Sequence, residues 1–274
     1  MLKRFNHPVL MLVVLTTTVS AAVVEHITIP STGMGKDIAV TVIVPDAYNT
    51  GADRFPVTYL LHGAGDHHGT WNDRTDVAAL ADQYGMIFVC PDGDRRSWWF
   101  DSPIDPKSQY ETFVSDECVA HVDTNYRTRA DRTHRAIAGN SMGGHGALYL
   151  ATRHKDVFSI AVSLSGAADI RPFHNRWKIT KRIGPLSDDW NNYTVIEVIK
   201  SLKDGELAIA IDCGEEDFFL EVNRTLHRQL TEDGITHAYA EQPGNHSWEY
   251  WDGAIKRQMP FIQQHMAEAS APGK

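Results

Sequence analysis

Arg135-Ala-Ile-Ala-Gly-Asn-Ser-Met-Gly-Gly144 is a short apolar strand, a Gly-x-Ser-x-Gly turn and the start of a helix rich in small residues. A serine nucleophile elbow needs that order of elements. The serine sits on a strained turn, so Gly139 and Gly143 must lack side chains where strand and helix pack closely. Ser141 then stands at a helix start, where free backbone N–H groups and the helix dipole favour a developing oxyanion. The pattern predicts Ser141 as nucleophile and the N–H of Met142 as one oxyanion donor. The competing reading, a glycine-rich connection without chemistry, accounts for the glycines but not for a serine held between strand and helix.

Outward from this turn, apolar runs recur at Ile38–Pro45, Val57–Leu61, Met86–Cys90, Ser159–Leu164, Leu207–Ile211 and Thr236–Ala240. Runs apolar on both faces suit strands covered on both sides of a mostly parallel sheet. Helical patterns lie between them, at Asp73–Tyr84, Tyr110–Asp123, Met142–Thr152, Tyr193–Leu202, Phe218–Glu232 and Ser247–Gln264. The alternation predicts one doubly wound α/β domain over residues 22–274. Ligands in such sheets bind beyond the carboxyl ends of the strands.

A serine hydroxyl needs a base, and in this fold class the chain order is Ser, acid, His. His246 lies in a Gly/Pro/Asn loop directly after the last predicted strand, at the active edge; His237 lies inside that strand, and His227 and His265 fall in helical patterns. His246 is therefore the expected base. His145, one turn into the nucleophile helix, either lines the site or packs. For the acid, Asp212-Cys-Gly-Glu-Glu-Asp217 places several carboxylates within six residues, and spacing leaves Asp217, Glu216 and Asp212 open. Burial of Asp212 on its strand would be costly without a partner, and Asp217 also suits a helix cap. The second oxyanion donor is expected in His62-Gly-Ala-Gly65, with the N–H of Ala64 preferred and that of Gly63 as the alternative.

The 274 residues carry 26 Lys and Arg against 35 Asp and Glu, a formal net charge of −9 with no basic block. Phosphate neutralisation needs clustered Lys and Arg, so nucleic acid is excluded as an expected partner. At the start, Lys3 and Arg4 precede an apolar stretch from Pro8 to Val19, followed by small residues around Ser20-Ala21-Ala22. That is the layout of a signal peptide over residues 1–21, and it predicts a secreted or periplasmic protein without stable membrane insertion. Cys90, Cys118 and Cys213 are odd in number and read as core residues, without zinc-site spacing. His62, Asp66, His67 and His68 do not suggest a metal centre, because adjacent histidines diverge. Neither metal nor cofactor is expected.

These motifs resemble the esterase D-like branch of the α/β-hydrolases, which includes feruloyl and acetylxylan esterases of carbohydrate esterase family one, tributyrin-type esterases, S-formylglutathione hydrolases and mycolyltransferases. Tyr59-Leu-Leu-His-Gly-Ala-Gly65, Ser97-Trp-Trp-Phe-Asp-Ser-Pro103, Ala138-Gly-Asn-Ser-Met-Gly-Gly144, Asp212-Cys-Gly-Glu-Glu-Asp217 and Gly244-Asn-His-Ser-Trp248 carry the likeness. The resemblance implies an α/β-hydrolase fold and selects Asp217 as the triad acid. It also places Ser97–Pro103 on the acyl side and a variable cap near residues 166–191. Trp98, Trp99 and Phe100 either pack in the core or, since three adjacent aromatics cannot all point one way, send at least one toward the cleft; Trp99, His145 and Trp248 are the expected substrate contacts.

The function expected is a secreted serine esterase that removes acetyl or feruloyl groups from plant cell-wall polysaccharide. An acyltransferase of the mycolyltransferase kind keeps the same triad but must exclude water from the acyl-enzyme. S-formylglutathione hydrolysis fits poorly with export. A catalytically dead carbohydrate-binding module would be marked by a missing triad position, and none is missing.

Overall fold

The computed structural model describes residues 21–269, so the expected signal segment lies outside the described residues except for Ala21. Eight strands form one sheet: β1 (Val23–Ser31), β2 (Lys36–Val44), β3 (Val57–Leu61), β4 (Ile87–Pro91), β5 (Arg135–Asn140), β6 (Ile160–Leu164), β7 (Ala208–Gly214) and β8 (His237–Gln242). Their order is β1-β2-β4-β3-β5-β6-β7-β8. The pairings β1–β2 and β2–β4 are antiparallel, and the others are parallel. The doubly wound sheet expected from the alternating pattern is present. Apolar side chains from its two faces enter two cores, one holding Val57, Tyr59 and Ile137 and the other Leu60, Ala136 and Ala138. Alternation along a strand explains why neighbouring residues feed opposite cores. Each buried Val, Leu or Ile stabilises the fold by roughly 1.5–3 kcal/mol.

β1 is a strand the hydrophobic pattern does not predict. It pairs in antiparallel register from Val23 opposite Val44 to Ser31 opposite Lys36, with Gly35 in the left-handed conformation at the turn. As an edge strand it alternates exposed and more buried side chains, and in the sequence its first valines run on without a break from the apolar residues before them, which hides its start. Other expected elements are interrupted. The 73–84 pattern splits into Thr70–Arg74 and Val77–Tyr84, because Thr75 turns to extended backbone and its hydroxyl donates to the Trp71 carbonyl at 2.6 Å. The 110–125 helix contains a π-turn at Phe113–Cys118. The 193–202 pattern contracts to one short helix, Val195–Val198, flanked by 3-10 turns.

Asp212, on β7, is completely buried yet well supplied with donors from the C-terminal helix Trp248–Ala269. The Tyr250 hydroxyl, Gln258 Nε2 at 3.0 Å and an Arg257 guanidinium nitrogen at 3.0 Å all donate to its carboxylate. This carboxylate ties that helix to the sheet. All three cysteines are buried and free. No helix among the described residues is long and apolar enough to cross a membrane.

Candidate active site

The serine turn lies beyond the carboxyl end of β5, before the helix Met142–Arg153. Ser141 has φ +56° and ψ −116°, a strained combination for a residue with a side chain. Glycine is required on both sides. A Cβ on Gly139 would lie 2.4 Å from the Gly143 carbonyl oxygen, and one on Gly143 would lie 2.0 Å from that of Leu61. The Ser141 amide donates to the Leu164 carbonyl at 2.9 Å, fixing the turn against the end of β6.

Three distant segments meet at this serine. Ser141 Oγ lies 2.8 Å from His246 Nε2, and His246 Nδ1 lies 2.8 Å from Asp217 Oδ2. With a carboxylate on Nδ1, the neutral imidazole carries its proton there and leaves Nε2 to accept from the serine hydroxyl. The other oxygen of Asp217, Oδ1, accepts from the Phe219 amide at 2.8 Å. Asp217 thus caps its own turn and orients the histidine at once. The two loops are zipped together, since the Glu215 and Glu216 amides donate to the Gln242 and Gly244 carbonyls, each at 2.9 Å. Glu216 is exposed, and Asp212 is committed to the C-terminal helix, so geometry separates three carboxylates that spacing could not.

His246 sits in an aromatic slot. Phe218 lies 4.2 Å from it centroid to centroid, Trp251 meets it edge-on at 4.8 Å, and Phe219 edge-on at 5.2 Å. The sequence reading places none of these three in the site. The adjacency of Phe218-Phe219 to the candidate acid was the available signal.

The His62–Gly65 loop is held from below. The Gly93 amide donates to His62 Nε2 at 2.8 Å, so Nδ1 carries the proton and donates to the Gly63 carbonyl at 2.8 Å. Because that peptide is trans, the Ala64 N–H points to the opposite side of the peptide plane. Neither the Ala64 nor the Met142 amide has a backbone acceptor among the described residues. The Gly65 amide donates to the Arg95 carbonyl at 2.6 Å, which joins this loop to the 93–100 loop.

Two expected substrate contacts are corrected by burial. Trp98 and Trp99 both have positive φ, 61° and 63°, and this pair of left-handed residues turns both indoles inward. Trp99 is 0% exposed, wedged against Gly93, Gly146 and the His62 ring, and is a core residue. His145 is also 0% exposed. Its Nε2 donates to the Tyr193 carbonyl at 2.9 Å, and its ring packs among Trp98, Phe100 and Tyr149. Trp248 is half-buried, edge-on to Trp71 and Trp251, and it is Trp251 that meets His246. The 166–191 segment packs on the 94–105 loop. Arg182 donates to the Arg96 carbonyl and the Asp94 carboxylate, both at 2.9 Å. A polar recess of about 640 Å³ lies elsewhere, at the carboxyl end of the Met142–Arg153 helix, lined by Thr152, His154 and Asn192.

Burial holds His62 and His145 well below the ordinary histidine value, each at about 4. The unfolded chain therefore takes up protons near pH 6.5 that the folded chain refuses, and acidification favours unfolding. Stability is expected to fall as pH drops from 6.5 towards 4, by about 2–3 kcal/mol per histidine. Urea unfolding at pH 7 and pH 4.5 checks this, and His145→Phe should flatten the slope. An unchanged slope would remove His145 from the account.

The family model described as "Putative esterase" matches residues 31–262. Esterase Rv1288 of Mycobacterium tuberculosis is 35% identical over 145 residues, which is 52% of this chain and 32% of that protein. The matched stretch thus spans about a third of that relative's length. An acetyl esterase of Caldicellulosiruptor saccharolyticus is 25% identical over 228 residues, covering 78% of this chain and 85% of its own. Among solved structures, a ferulic acid esterase superposes with a TM-score of 0.79 at 27% identity, over 90% of this chain and 99% of its own. With the eight-stranded sheet and a family match over most of its length, the chain belongs to the Esterase family and has the α/β-hydrolase fold.

Proposed function

We propose that this protein is an exported esterase that removes acetyl or feruloyl groups from plant cell-wall polysaccharide. The observation that carries the reading is the continuous hydrogen-bonded line from Ser141 through His246 to Asp217, at 2.8 Å for each step. Ser141 Oγ attacks the ester carbonyl as His246 Nε2 takes its proton. The carbonyl oxygen becomes an oxyanion facing the N–H groups of Ala64 and Met142. Imidazolium His246, steadied by Asp217, gives the proton to the leaving alcohol oxygen, and the acyl group stays on Ser141. Water then enters, loses a proton to His246 and releases the acid, restoring the serine. The polysaccharide part of the proposal draws on the acetyl esterase and ferulic acid esterase likeness, and export draws on the leader at residues 1–21.

Purified residues 22–274 are assayed on p-nitrophenyl acetate, p-nitrophenyl butyrate, methyl ferulate and acetylated xylan. Release of acetate or ferulate is expected, with the faster substrate naming the acyl group. Turnover of p-nitrophenyl acetate alone would overturn the polysaccharide reading and leave a general esterase. Transfer of the acyl group to an added sugar in preference to water would instead establish an acyltransferase.

A further inference from the structure

We propose that Phe218 and Trp177 form a stacking platform for a sugar ring on the alcohol side of the scissile ester. The proposal rests on the esterase reading above. Large apolar side chains exposed among the described residues include Val23, Ile104, Leu186 and Phe218, and Phe218 is the aromatic one, 55% exposed. It lies directly against His246, with 4.2 Å between ring centroids. Trp177 runs nearly parallel to it, at 6.0 Å and an interplanar angle of 20°. An exposed benzyl ring in an acidic, polar chain gains nothing from solvent and is a candidate contact surface.

The pair is held rather than loose. Trp177 packs at 5.6 Å on Phe219 and 5.8 Å on Phe173, and Phe219 is itself buried. Trp177 and Lys178 both take left-handed backbone, with φ of 46° and 59°, a conformation that bulky residues adopt only when neighbours impose it. The Trp177 carbonyl accepts from the Trp98 indole N–H at 3.4 Å. Two rings fixed before binding lose little entropy when a flat ligand covers them.

Chemistry assigns the side of the ester. The acyl carbon bonds to Ser141, and its oxygen faces Ala64 and Met142. The leaving oxygen must receive its proton from His246 Nε2, so the alcohol departs along the histidine. A ring leaning on His246 therefore borders the alcohol and not the acyl group. The flanking side chains select the ligand further. Arg176 lies 6.0 Å from the Trp177 ring, and exposed Lys178 and Asn245 adjoin Trp177 and His246 in the chain. A pyranose offers an apolar C–H face to the aromatic pair and hydroxyls to such a rim, whereas an alkyl chain would leave the rim unused.

The test keeps the acyl group constant and varies the alcohol. Wild type, Phe218→Ala, Phe218→Tyr and Trp177→Ala are compared on ethyl acetate and on acetylated xylo-oligosaccharide. In Phe218→Ala the ratio of kcat/KM for the sugar ester over the ethyl ester is expected to fall by about tenfold or more, mostly through KM, as loss of one aromatic contact implies. Phe218→Tyr should restore the ratio, because the ring face is kept. An unchanged ratio would overturn the platform, and an equal loss on both esters would recast Phe218 as a support for His246. Binding of unacetylated xylo-oligosaccharide to Ser141→Ala, followed by calorimetry, should be lost when Phe218→Ala is added. A wild type that hydrolyses ethyl acetate but neither cleaves nor binds the sugar refutes the platform while the esterase reading stands. Failure on every ester refutes the esterase reading, and sugar binding still reports separately on the platform.

Discussion

Ser141→Ala is expected to lower kcat/KM on every hydrolysed ester by about 10⁴-fold or more, while the melting temperature stays close to that of wild type. Triad members act as a unit, so loss of the nucleophile removes the acyl-enzyme route and leaves only what the oxyanion site and binding supply. The fold is spared for a geometric reason. Alanine keeps the Cβ and the backbone at φ +56°, and the hydroxyl's hydrogen bond is to His246. The turn is also pinned by the Ser141 amide on Leu164 and by the His145 amide on the Ser141 carbonyl, neither of which needs the side chain. Hydrolysis at the wild-type rate in correctly folded Ser141→Ala would sink the assignment.

Two carboxylates five positions apart in one motif, Asp212 and Asp217, should fail in opposite ways. Asp217→Asn is expected to reduce kcat by up to about 10⁴-fold with little change in stability, because an amide cannot hold the Nδ1–H tautomer or balance the imidazolium as a carboxylate does. Asp212→Ala is expected to destabilise the protein by about 2–4 kcal/mol while the folded fraction keeps its turnover. Removing that buried carboxylate strands Tyr250 and Gln258 and leaves Arg257, which is 39% exposed and can rehydrate, to find water. The lower end of the range reflects that rehydration. Denaturant unfolding and initial rates, measured on both variants, decide the matter. A turnover defect in Asp212→Ala or a large stability loss in Asp217→Asn would exchange their roles.

Much of the site is visible in single residues. Gly139, Ser141 and Gly143 form a local turn, and local sterics allow few alternatives at such spacing. His246 is legible because loop position after a strand follows from hydrophobic pattern. The acid was not legible from spacing alone. Asp212, Glu216 and Asp217 differ in what donors reach them from the C-terminal helix and the His246 loop, and sequence separation conceals both. The Trp98-Trp99-Phe100 cluster misled for a related reason. Two left-handed residues rotate neighbouring indoles inward, although a regular strand or helix would have sent at least one outward. β1 is hidden in the sequence because only one face of an edge strand is apolar, and its start merges with the apolar run before it.

By itself the sequence determined the alternating strand and helix order, the serine on its glycine-flanked turn and the histidine at the far end of the sheet, because each depends on local geometry or on a hydrophobic period. Tertiary structure decided which carboxylate meets His246, which aromatics are core and which border the histidine, and how His62 holds the Gly63–Ala64 peptide. Those outcomes depend on the sheet order. β5, β6, β7 and β8 lie side by side in parallel, so residues more than a hundred positions apart end on one edge. Burial and donors on that edge come from segments whose meeting is a property of packing and not of any local pattern.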